Sequence, residues 1–411
     1  MKNLERLREV LTKIPHRPRG AETRHSAVHP AIRSPLVSRL FSPLPLGSLT
    51  LPNRIVIAPM CQYAAVDGNA TDWHLIHLGS LALSGAGLMV LEATAVSPEG
   101  RISAADLGLW NDANETALAL VLASVRRHAA MPLAIQLSHA GRKGSTQVPW
   151  EGGSQVHPHE PAGWQTLGPS AVPHAATDTP PHALDADGLR RVRDDFARAA
   201  RRAARLGFDG IELHAAHGYL LHQFLSPLAN HRTDAYGGPL ENRMRFPLEV
   251  FEAVREAFPA GRPVWIRLSA TDWVEGGWDL DGTVALSHAL KARGCAAIHV
   301  SSGGVSTAQA IPLAPGYQVP HARRVKAEVG LPTIAVGLIT SAAHAEAVIA
   351  DGEADAVGLA RAMLYDPRWP WHAAAELGAR VAAPPQYWRC QPREAKDLFD
   401  MTRQGPGGRT M

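Results

Sequence analysis

Short apolar runs typical of strands recur along this chain, and each is followed by a segment with helical periodicity. Successive runs are spaced about 40 residues apart, which suits a strand, a helix and their connections. Eight such pairs use up the chain. An uninterrupted series of this kind favours a closed barrel over an open sheet. The sequence therefore predicts an α/β fold, a single (β/α)₈ TIM barrel.

The predicted strands are residues 54–60, 88–94, 133–139, 209–214, 264–270, 297–302, 333–338 and 356–361. The predicted helices are residues 72–83, 115–128, 185–206, 241–258, 281–292, 321–328, 341–350 and 371–377. Several helices begin at a capping residue, such as Asp185, Asp281 or Ser341, and end before a glycine.

Two predicted loops are longer than a bare barrel needs, residues 140–184 after the third strand and residues 215–240 after the fourth. Both follow the carboxyl ends of strands, where barrels of this type build their sites. Residues 147–181 are rich in Pro and His. We expect this stretch to cover the barrel mouth largely without regular structure.

The barrel is assigned to residues 39–392, and residues 393–411 form a predicted C-terminal tail. Residues 1–38 begin with apolar side chains at helical spacing and continue with a stretch rich in Arg, His and Pro. That composition faintly resembles a transit peptide. We interpret the segment as a mobile N-terminal extension or an over-long start.

Composition limits the classes of function. Apolar residues make up 45% of the chain and charged residues 19%, which supplies one large core and gives no sign of disorder. The formal charge of +3 is small, so a nucleic-acid partner is unsupported. No apolar run is long enough for a membrane helix. Cys61, Cys295 and Cys390 lie far apart, which argues against disulfides or an iron–sulfur cluster and favours a soluble, cytoplasmic protein.

Alternation along the strands predicts which side chains point into the barrel. Gln136, Glu212, His214 and Arg267 share the inward face of the third to fifth strands, and Glu92 from the second strand is added to this polar ring. Burying such groups is costly unless they find partners. The ring therefore either pairs internally, for instance Arg267 with Glu92 or Glu212, or meets a bound polar ligand.

The most informative motif directly follows the fourth strand and holds two imidazoles and a phenol, from His214, His217 and Tyr219. Imidazole can donate a hydrogen bond to a carbonyl oxygen, and a phenol can deliver a proton. The motif therefore suits a reaction that adds charge to an enone oxygen. The alternative is a zinc site on the same His pair, completed by His139 or Glu212, as in a metal-dependent barrel hydrolase.

Cys61 and Tyr63 end the first strand and bring a thiol and a phenol to the same face of the barrel. A cysteine there can also be merely a small apolar residue. The glycine-bearing ends of the last three strands resemble the phosphate grip of many barrels, which indicates a phosphorylated cofactor. No lysine lies near the ends of strands six and seven, and no GxGxxG unit opens a Rossmann fold. A nicotinamide, if used, must therefore dock at the barrel mouth.

Four stretches of the chain resemble signatures of the Old Yellow Enzyme family of FMN-dependent ene-reductases. They are residues 58–63 (APMCQY), Gln136 with residues 139–143 (HAGRK), residues 214–219 (HAAHGY) and residues 225–238 (LSPLANHRTDAYGG). The resemblance runs from Leu40 to Cys390. The cysteine on the first strand is similar to that of the thermophilic-like, or xenobiotic-reductase-like, branch.

The resemblance implies that the cofactor is FMN. The residues implied at its ring are Ala58, Pro59, Met60, Cys61, Ala93, Gln136, His214 and Arg267, and those at its phosphate are Ser302, Gly303, Gly304, Gly337, Ala360 and Arg361. Arg267 would stabilise the negative charge on the reduced flavin. Ala360 stands where many relatives have Gly, which puts its backbone contact in doubt.

The same resemblance implies a two-step cycle in one site. NADPH or NADH reduces FMN and leaves, and an activated alkene such as an enone, enal or maleimide takes its place. His214 and His217 would bind the substrate carbonyl, with Tyr63 on the other side. The flavin would give hydride to the β-carbon, and Tyr219 would protonate the α-carbon. Cys61 would tune the flavin potential rather than act as a nucleophile.

Residues 386–389 (QYWR) are similar to a segment that carries an arginine into a neighbouring subunit of this branch. Arg389 is therefore the predicted intersubunit contact with substrate, which implies a homodimer or homotetramer. The alternative is a solvated arginine, because Trp388 and Cys390 depart from the family pattern. The physiological alkene and the choice between NADPH and NADH are not fixed by the sequence.

Overall fold

The computed structural model describes residues 38–401, and eight parallel strands of this part close into a barrel. The strands are β1 (Ile55–Ile57), β2 (Leu88–Ala95), β3 (Leu133–Ser138), β4 (Gly210–Ala215), β5 (Val264–Ser269), β6 (Ile298–Ser301), β7 (Thr333–Ala335) and β8 (Ala356–Leu359). Neighbours in sequence are neighbours in the barrel, and β8 pairs with β1 to close it. The predicted (β/α)₈ fold is confirmed.

Helices alternate with the strands and form the outer layer. They are α1 (Asp72–Ala82), α2 (Asp112–Arg126), α3 (Ala186–Arg205), α4 (Leu240–Ala257), α5 (Leu280–Lys291), α6 (Val319–Val329), α7 (Ala342–Ala350) and α8 (Trp369–Glu376). Asp185 and Ser341 cap α3 and α7 as predicted, each accepting a hydrogen bond from a backbone N–H of the first turn. Helix α5 is capped by Asp279 instead of Asp281. None of the described helices is long and apolar enough to cross a membrane.

Three strands, β1, β7 and β8, end two or three residues earlier than predicted, each because the backbone turns at the barrel mouth. Pro59 follows β1 and has no N–H to continue a ladder. After β7 the chain turns through Gly337 and Leu338, whose φ angles are +118° and +54°. After β8 a short helix, Arg361–Tyr365, begins at once. The residues freed from the strands in this way line the carboxyl end of the barrel.

Both ends of the barrel carry additional structure. An antiparallel hairpin, Leu44–Leu46 with Leu49–Leu51, turns at Gly47 beside Pro263, which precedes β5 and so marks the amino end. At the carboxyl end, the long loop 140–184 has two short 3₁₀ turns and one two-residue strand pair, Leu167–Gly168 with His182–Ala183. It is largely irregular, as expected.

The C-terminal segment packs against α8. Leu398 and Phe399 are buried in a small apolar cluster with Trp371 and Val381, and Val381 is bridged to Phe399. Leu398 and Phe399, which belong to the predicted tail 393–411, therefore pack against the part of the chain assigned to the barrel. The predicted N-terminal extension lies outside the described residues except for Ser38.

Candidate active site

Inward-facing side chains of β3 to β6 form one buried polar network centred on Glu212. Glu212 Oε1 accepts from Gln136 Nε2 at 2.7 Å, and its Oε2 accepts from Trp265 Nε1 at 2.7 Å and His299 Nδ1 at 2.6 Å. Burial acts to raise the pKa of Glu212, but His299 and Arg267 outweigh it and hold that pKa below its usual range. Glu212 is therefore an ionised carboxylate with three N–H donors. The network confirms the predicted inward face of these strands.

Arg267 lies on β5 opposite His214 of β4 and His299 of β6. Its buried Nε has no hydrogen-bond partner among the described residues. Within residues 38–401, Arg267 forms no ion pair with Glu212 or with Glu92. The charge of Glu212 is nevertheless close enough to influence the pKa of Arg267. Internal pairing of Arg267 is therefore not observed. A half-buried guanidinium whose buried Nε lacks an acceptor suits a ligand that brings acceptors.

Glu92 does not belong to the polar ring, which corrects the sequence prediction. The pairing of β2 with β3 is irregular between Leu91 and Ala93, so Glu92 has no partner in the register. Its carboxylate contacts the side chain of His74 on α1 at 3.4 Å and accepts from Gln62 N at 2.9 Å. Such an irregularity re-aims side chains. Glu92 therefore braces the end of β1 against α1.

Five of the predicted ring-lining residues lie on or just after β1 and β2: Ala58, Pro59, Met60, Cys61 and Ala93. Ala58 N donates to Leu359 O at 3.0 Å, which ties the exit of β1 to the end of β8. Pro59 and Met60 follow, both half-buried. Ala93 lies in register with Gln136, so it faces the barrel interior.

His214 has a defined hydrogen position. The backbone N–H of Ala216 donates to His214 Nδ1 at 3.2 Å, so the neutral ring carries its hydrogen on Nε2. Burial, followed by the charge of Arg267, lowers the pKa of both His214 and His217 well below the usual range. The two imidazoles are therefore neutral hydrogen-bond donors.

His217 is held between His214 and Ser301. His217 Nδ1 lies 3.3 Å from His214 Nε2, and His217 Nε2 lies 2.7 Å from the hydroxyl of Ser301. A serine hydroxyl can donate as well as accept. When Ser301 donates to Nε2, the hydrogen of His217 lies on Nδ1. In that tautomer the two N–H groups face each other, so it suits a bound oxygen that accepts from both rings. Without such an oxygen, His214 Nε2 donates to His217 Nδ1, and His217 Nε2 donates to Ser301.

The loop after β4 packs backbone to backbone against the loop after β6. His217 and Gly218 have φ angles of +58° and +77°. A Cβ added at Gly218 would lie 2.1 Å from the carbonyl oxygen of Gly304, and one added at Gly304 would lie 2.5 Å from the backbone of His217. Glycine is needed at both positions, because no side chain fits between the loops.

Tyr219 follows this turn and precedes the short helix Leu220–Leu225. Its ring lies edge-on to that of His214, with centroids 4.8 Å apart. Burial raises the pKa of Tyr219 well above its usual range, followed in size by the effect of Cys61. The phenol is therefore protonated and can act as a proton donor.

Lys143 is a site residue to which the sequence analysis gave no role, although it lies within the quoted HAGRK motif. Its ammonium donates to the carbonyls of His217 and Gly304 at 2.8 and 3.0 Å. The same nitrogen lies 5.3 Å from the centroid of the Tyr219 ring. Burial, followed by the neighbouring charge of Arg142, lowers the pKa of Lys143 to about 8.

Cys61 and Tyr63 follow β1 on another wall of the site, close enough for each to influence the pKa of the other. Burial, with a further contribution from Asp106, raises the pKa of the Cys61 thiol well above its usual range, so it is not a thiolate nucleophile. Tyr63 has a φ of +50°, and its ring meets the exposed Trp150 edge-on at 5.9 Å. Trp150 brings the long loop after β3 to this wall.

The predicted phosphate-binding residues lie on the adjoining ends of β6, β7 and β8. Ser302 Oγ donates to Gln318 Oε1 at 2.7 Å. The amides of Gly303 and Gly304 donate within the protein, to Thr271 O at 2.8 Å and Gln309 Oε1 at 2.6 Å. These glycines therefore shape the wall of the site.

Gly337 follows β7, and Ala360 and Arg361 follow β8. Ala360 immediately precedes the short helix that starts at Arg361, and the Arg361 side chain is exposed. A left-handed φ of +118° at Gly337 brings the backbone to the same rim.

Two further sequence hypotheses concern Arg389 and a metal site. Arg389 lies in a 3₁₀ turn, Pro385–Cys390, and is exposed to solvent. Its role at a neighbouring subunit stays a prediction. Among residues 38–401, no three His, Cys, Asp or Glu side chains come together in a way that could hold a metal ion. The zinc hydrolase alternative is therefore unsupported.

A closed parallel barrel, with neutral imidazoles, a phenol and an unpaired arginine at its mouth, matches the class of flavin-dependent barrel oxidoreductases. The model of the NADH:flavin oxidoreductase / NADH oxidase family matches residues 39–379. The chain is 44% identical over 352 residues to an NADPH dehydrogenase of Geobacillus thermodenitrificans, covering 85% of this chain and 98% of that protein.

Solved structures agree with this match. Morphinone reductase in complex with tetrahydroNAD has a TM-score of 0.68 at 31% identity, over 89% of this chain and 99% of that one. The Old Yellow Enzyme homologue of Zymomonas mobilis has a TM-score of 0.67 at 26% identity, over 88% and 97%.

The chain belongs to the NADH:flavin oxidoreductase family, whose members include the Old Yellow Enzymes. It is an NAD(P)H-dependent flavin oxidoreductase with FMN as its cofactor and a small molecule as its second substrate. The predicted family, cofactor and enzyme class are confirmed.

Proposed function

We propose that the enzyme is an ene-reductase that reduces activated alkenes with NAD(P)H. The observation that carries the proposal is the grouping of two neutral imidazoles and a protonated phenol at the end of β4. Two N–H donors suit an oxygen that gains negative charge, and the phenol suits a carbon that needs a proton. Activated alkenes such as enones, enals and maleimides present both.

The barrel interior fits FMN. The buried Nε of Arg267 lacks a partner among the described residues, and Gln136 uses Nε2 internally, which leaves its amide oxygen for a ligand. These groups complement the pyrimidine edge of a flavin, which carries carbonyl oxygens and one N–H. Ala58, Pro59, Met60, Cys61, Ala93 and His214 would lie around the ring. Ser302, Gly303, Gly304, Gly337, Ala360 and Arg361 would surround the phosphate.

When bound, FMN supplies the hydride that it has received from NAD(P)H. The chain's own residues prepare the alkene for it. His214 donates from Nε2 to the substrate carbonyl, and His217 donates from Nδ1 when Ser301 holds its other nitrogen. Tyr63 contacts the substrate from another wall of the site. Tyr219 gives its proton to the α-carbon while Lys143 lies against its ring.

Cys61 is placed by this proposal as a neutral thiol that tunes the flavin potential. NADPH is proposed as the reductant, with NADH as the alternative. Arg389 is proposed to enter the site of a neighbouring subunit in a homodimer or homotetramer, since its exposed turn makes it available for such a contact.

The test is an anaerobic titration of the purified holoenzyme followed by absorbance. NADPH should bleach the visible bands of the flavin, and 2-cyclohexenone should restore them. A flavin that NADPH bleaches and no activated alkene restores would leave the family assignment intact and reject the ene-reductase proposal.

A further inference from the structure

Glu212 is an ionised carboxylate at the centre of the barrel that takes no part in the proposed proton transfer. Its side chain is 0% exposed and receives hydrogen bonds from β3, β5 and β6. A buried ion of this kind adds little net stability, because the cost of desolvation offsets its attractions. Its function is better sought in the groups that it positions.

The first of these groups is the amide of Gln136. A free glutamine amide can present either its oxygen or its nitrogen to a ligand. Here the nitrogen donates to Glu212 Oε1 at 2.7 Å, and an ionised carboxylate can only accept. The carboxylate therefore fixes the orientation of the Gln136 amide and leaves Oε1 of Gln136 to accept a hydrogen bond from a ligand. The pyrimidine edge of oxidised flavin has a single N–H, and an acceptor is what it requires.

The second group is the guanidinium of Arg267. Arg267 lies in register with His299, whose Nδ1 is 2.6 Å from Glu212 Oε2, so the guanidinium and the carboxylate occupy neighbouring inward positions. Burial lowers the pKa of Arg267, and the charge of Glu212 is the largest influence that opposes this shift. His299 is the third residue that hydrogen-bonds to Glu212, and it donates from Nδ1. Its ring fits because position 358 is glycine, since a Cβ there would lie 3.1 Å from His299 Nε2. The carboxylate therefore offsets part of the positive charge that faces the flavin site.

We propose that Glu212 is a positioning residue for FMN, which fixes the Gln136 amide as an acceptor and offsets part of the charge of Arg267. This inference rests on the placement of Gln136 and Arg267 at the flavin under the proposed function. It assigns to Glu212 an effect on cofactor affinity and on reduction potential, and none on the transfer of a proton to substrate.

The deciding variant is Glu212→Gln. Its single carbonyl oxygen can accept from Trp265 and His299, but its new NH₂ group then faces the NH₂ group of Gln136, so the Gln136 amide must turn over. We expect the dissociation constant of the apoprotein for FMN, measured by quenching of flavin fluorescence, to rise about tenfold.

The same variant leaves Arg267 without its counter-charge, which favours the reduced cofactor because reduction adds negative charge. Affinity for oxidised FMN should fall about tenfold more than affinity for reduced FMN, which makes the midpoint potential about 30 mV more positive. The potential is read in equilibrium with a reference dye. An unchanged dissociation constant and an unchanged potential would overturn the inference.

Two further variants separate positioning from damage to the core. Glu212→Asp keeps the charge but withdraws the carboxylate from Gln136, so FMN affinity should fall while the potential stays at the parental value. A shift as large as that of Glu212→Gln would refute the role of charge. Trp265→Phe removes a donor to Oε2 alone and should leave both quantities unchanged. The full Glu212→Gln effect in Trp265→Phe would mean that any change in the network suffices, and would overturn the inference.

Circular dichroism checks that each variant folds. If Glu212→Gln does not fold, the comparison of Glu212→Asp with Trp265→Phe tests the role of Glu212. Gln136→Leu separates this inference from the placement on which it rests. Normal FMN binding by Gln136→Leu would reject the placement of Gln136 at the flavin. Weak binding by Gln136→Leu with normal binding by Glu212→Gln would reject only the role of Glu212.

Discussion

The turn after β4 and the turn that holds Arg389 are both proposed to contact substrate, yet they differ in how the chain supports them. His214 is buried, its tautomer is set by a backbone N–H, and His217 is fixed between two side chains. Arg389 is exposed in a short 3₁₀ turn. The first arrangement is complete within one subunit. The second acquires a function only if another subunit is present.

Tyr219→Phe should produce the largest effect, because it removes the proton donor of the complete arrangement. Alkene-dependent reoxidation of the flavin should slow by about 10²- to 10⁴-fold, the usual contribution of a general acid. Reduction by NADPH should keep its rate. Stopped-flow absorbance resolves the two half-reactions. Tyr236→Phe is a matched control, since that hydroxyl contacts Glu249 on α4; equal rates in the two variants would exclude Tyr219 as the donor.

His214→Leu should follow, with about a 10²-fold loss in the alkene half-reaction from one missing donor to the developing oxyanion. In the parent enzyme this half-reaction should show no inflection near pH 6.5, the usual pKa of histidine. The lowered pKa of both imidazoles keeps them neutral through that range, and they gain charge only at more acidic pH. A rate that rises or falls with an inflection near pH 6.5 would contradict their neutral state.

Lys143→Met should give a smaller effect that depends on pH. The pKa of Lys143 is lowered to about 8, so its charge is present below that pH and is lost above it. The Lys143 cation stabilises the Tyr219 ring by about 1 kcal/mol as the phenol loses its proton to the substrate. This corresponds to about a fivefold effect on the rate. The alkene half-reaction of the parent should therefore slow above pH 8. The variant should be slower below pH 8 and lack this decline; an identical decline in both would remove Lys143 from the mechanism.

Arg389→Ala should have the smallest effect and tests the second arrangement. The loss of one hydrogen-bonding contact with substrate should raise the KM for the alkene about three- to tenfold. The kcat of NADPH oxidation and the FMN content should stay unchanged. Sedimentation of the parent should give at least a dimer. A monomeric enzyme with full activity would show that Arg389 is a solvated side chain.

The fold and most of the cluster could be predicted because each depends on spacing along the chain. The side chains of Gln136, Glu212 and Arg267 point inward for the reason that strand residues alternate. Glu92 departs from this alternation, since one irregularity in β2 changes the direction of its side chain. The environment of Lys143 could not be predicted, because the carbonyls that it contacts belong to loops distant in sequence. The role of Arg389 depends on contact with a second subunit, and the spacing of residues along one chain does not determine that contact.

The close approach of Gly218 to Gly304 limits where new substrate preferences can evolve in this enzyme. A side chain at either glycine would force the two loops apart and displace His217, so variation there would damage the chemistry before it altered selectivity. Residues 140–184 carry no such restriction at Trp150, which is exposed and reaches Tyr63. Directed evolution for bulkier alkenes should therefore begin with Trp150, where the site can change its shape and keep its reaction.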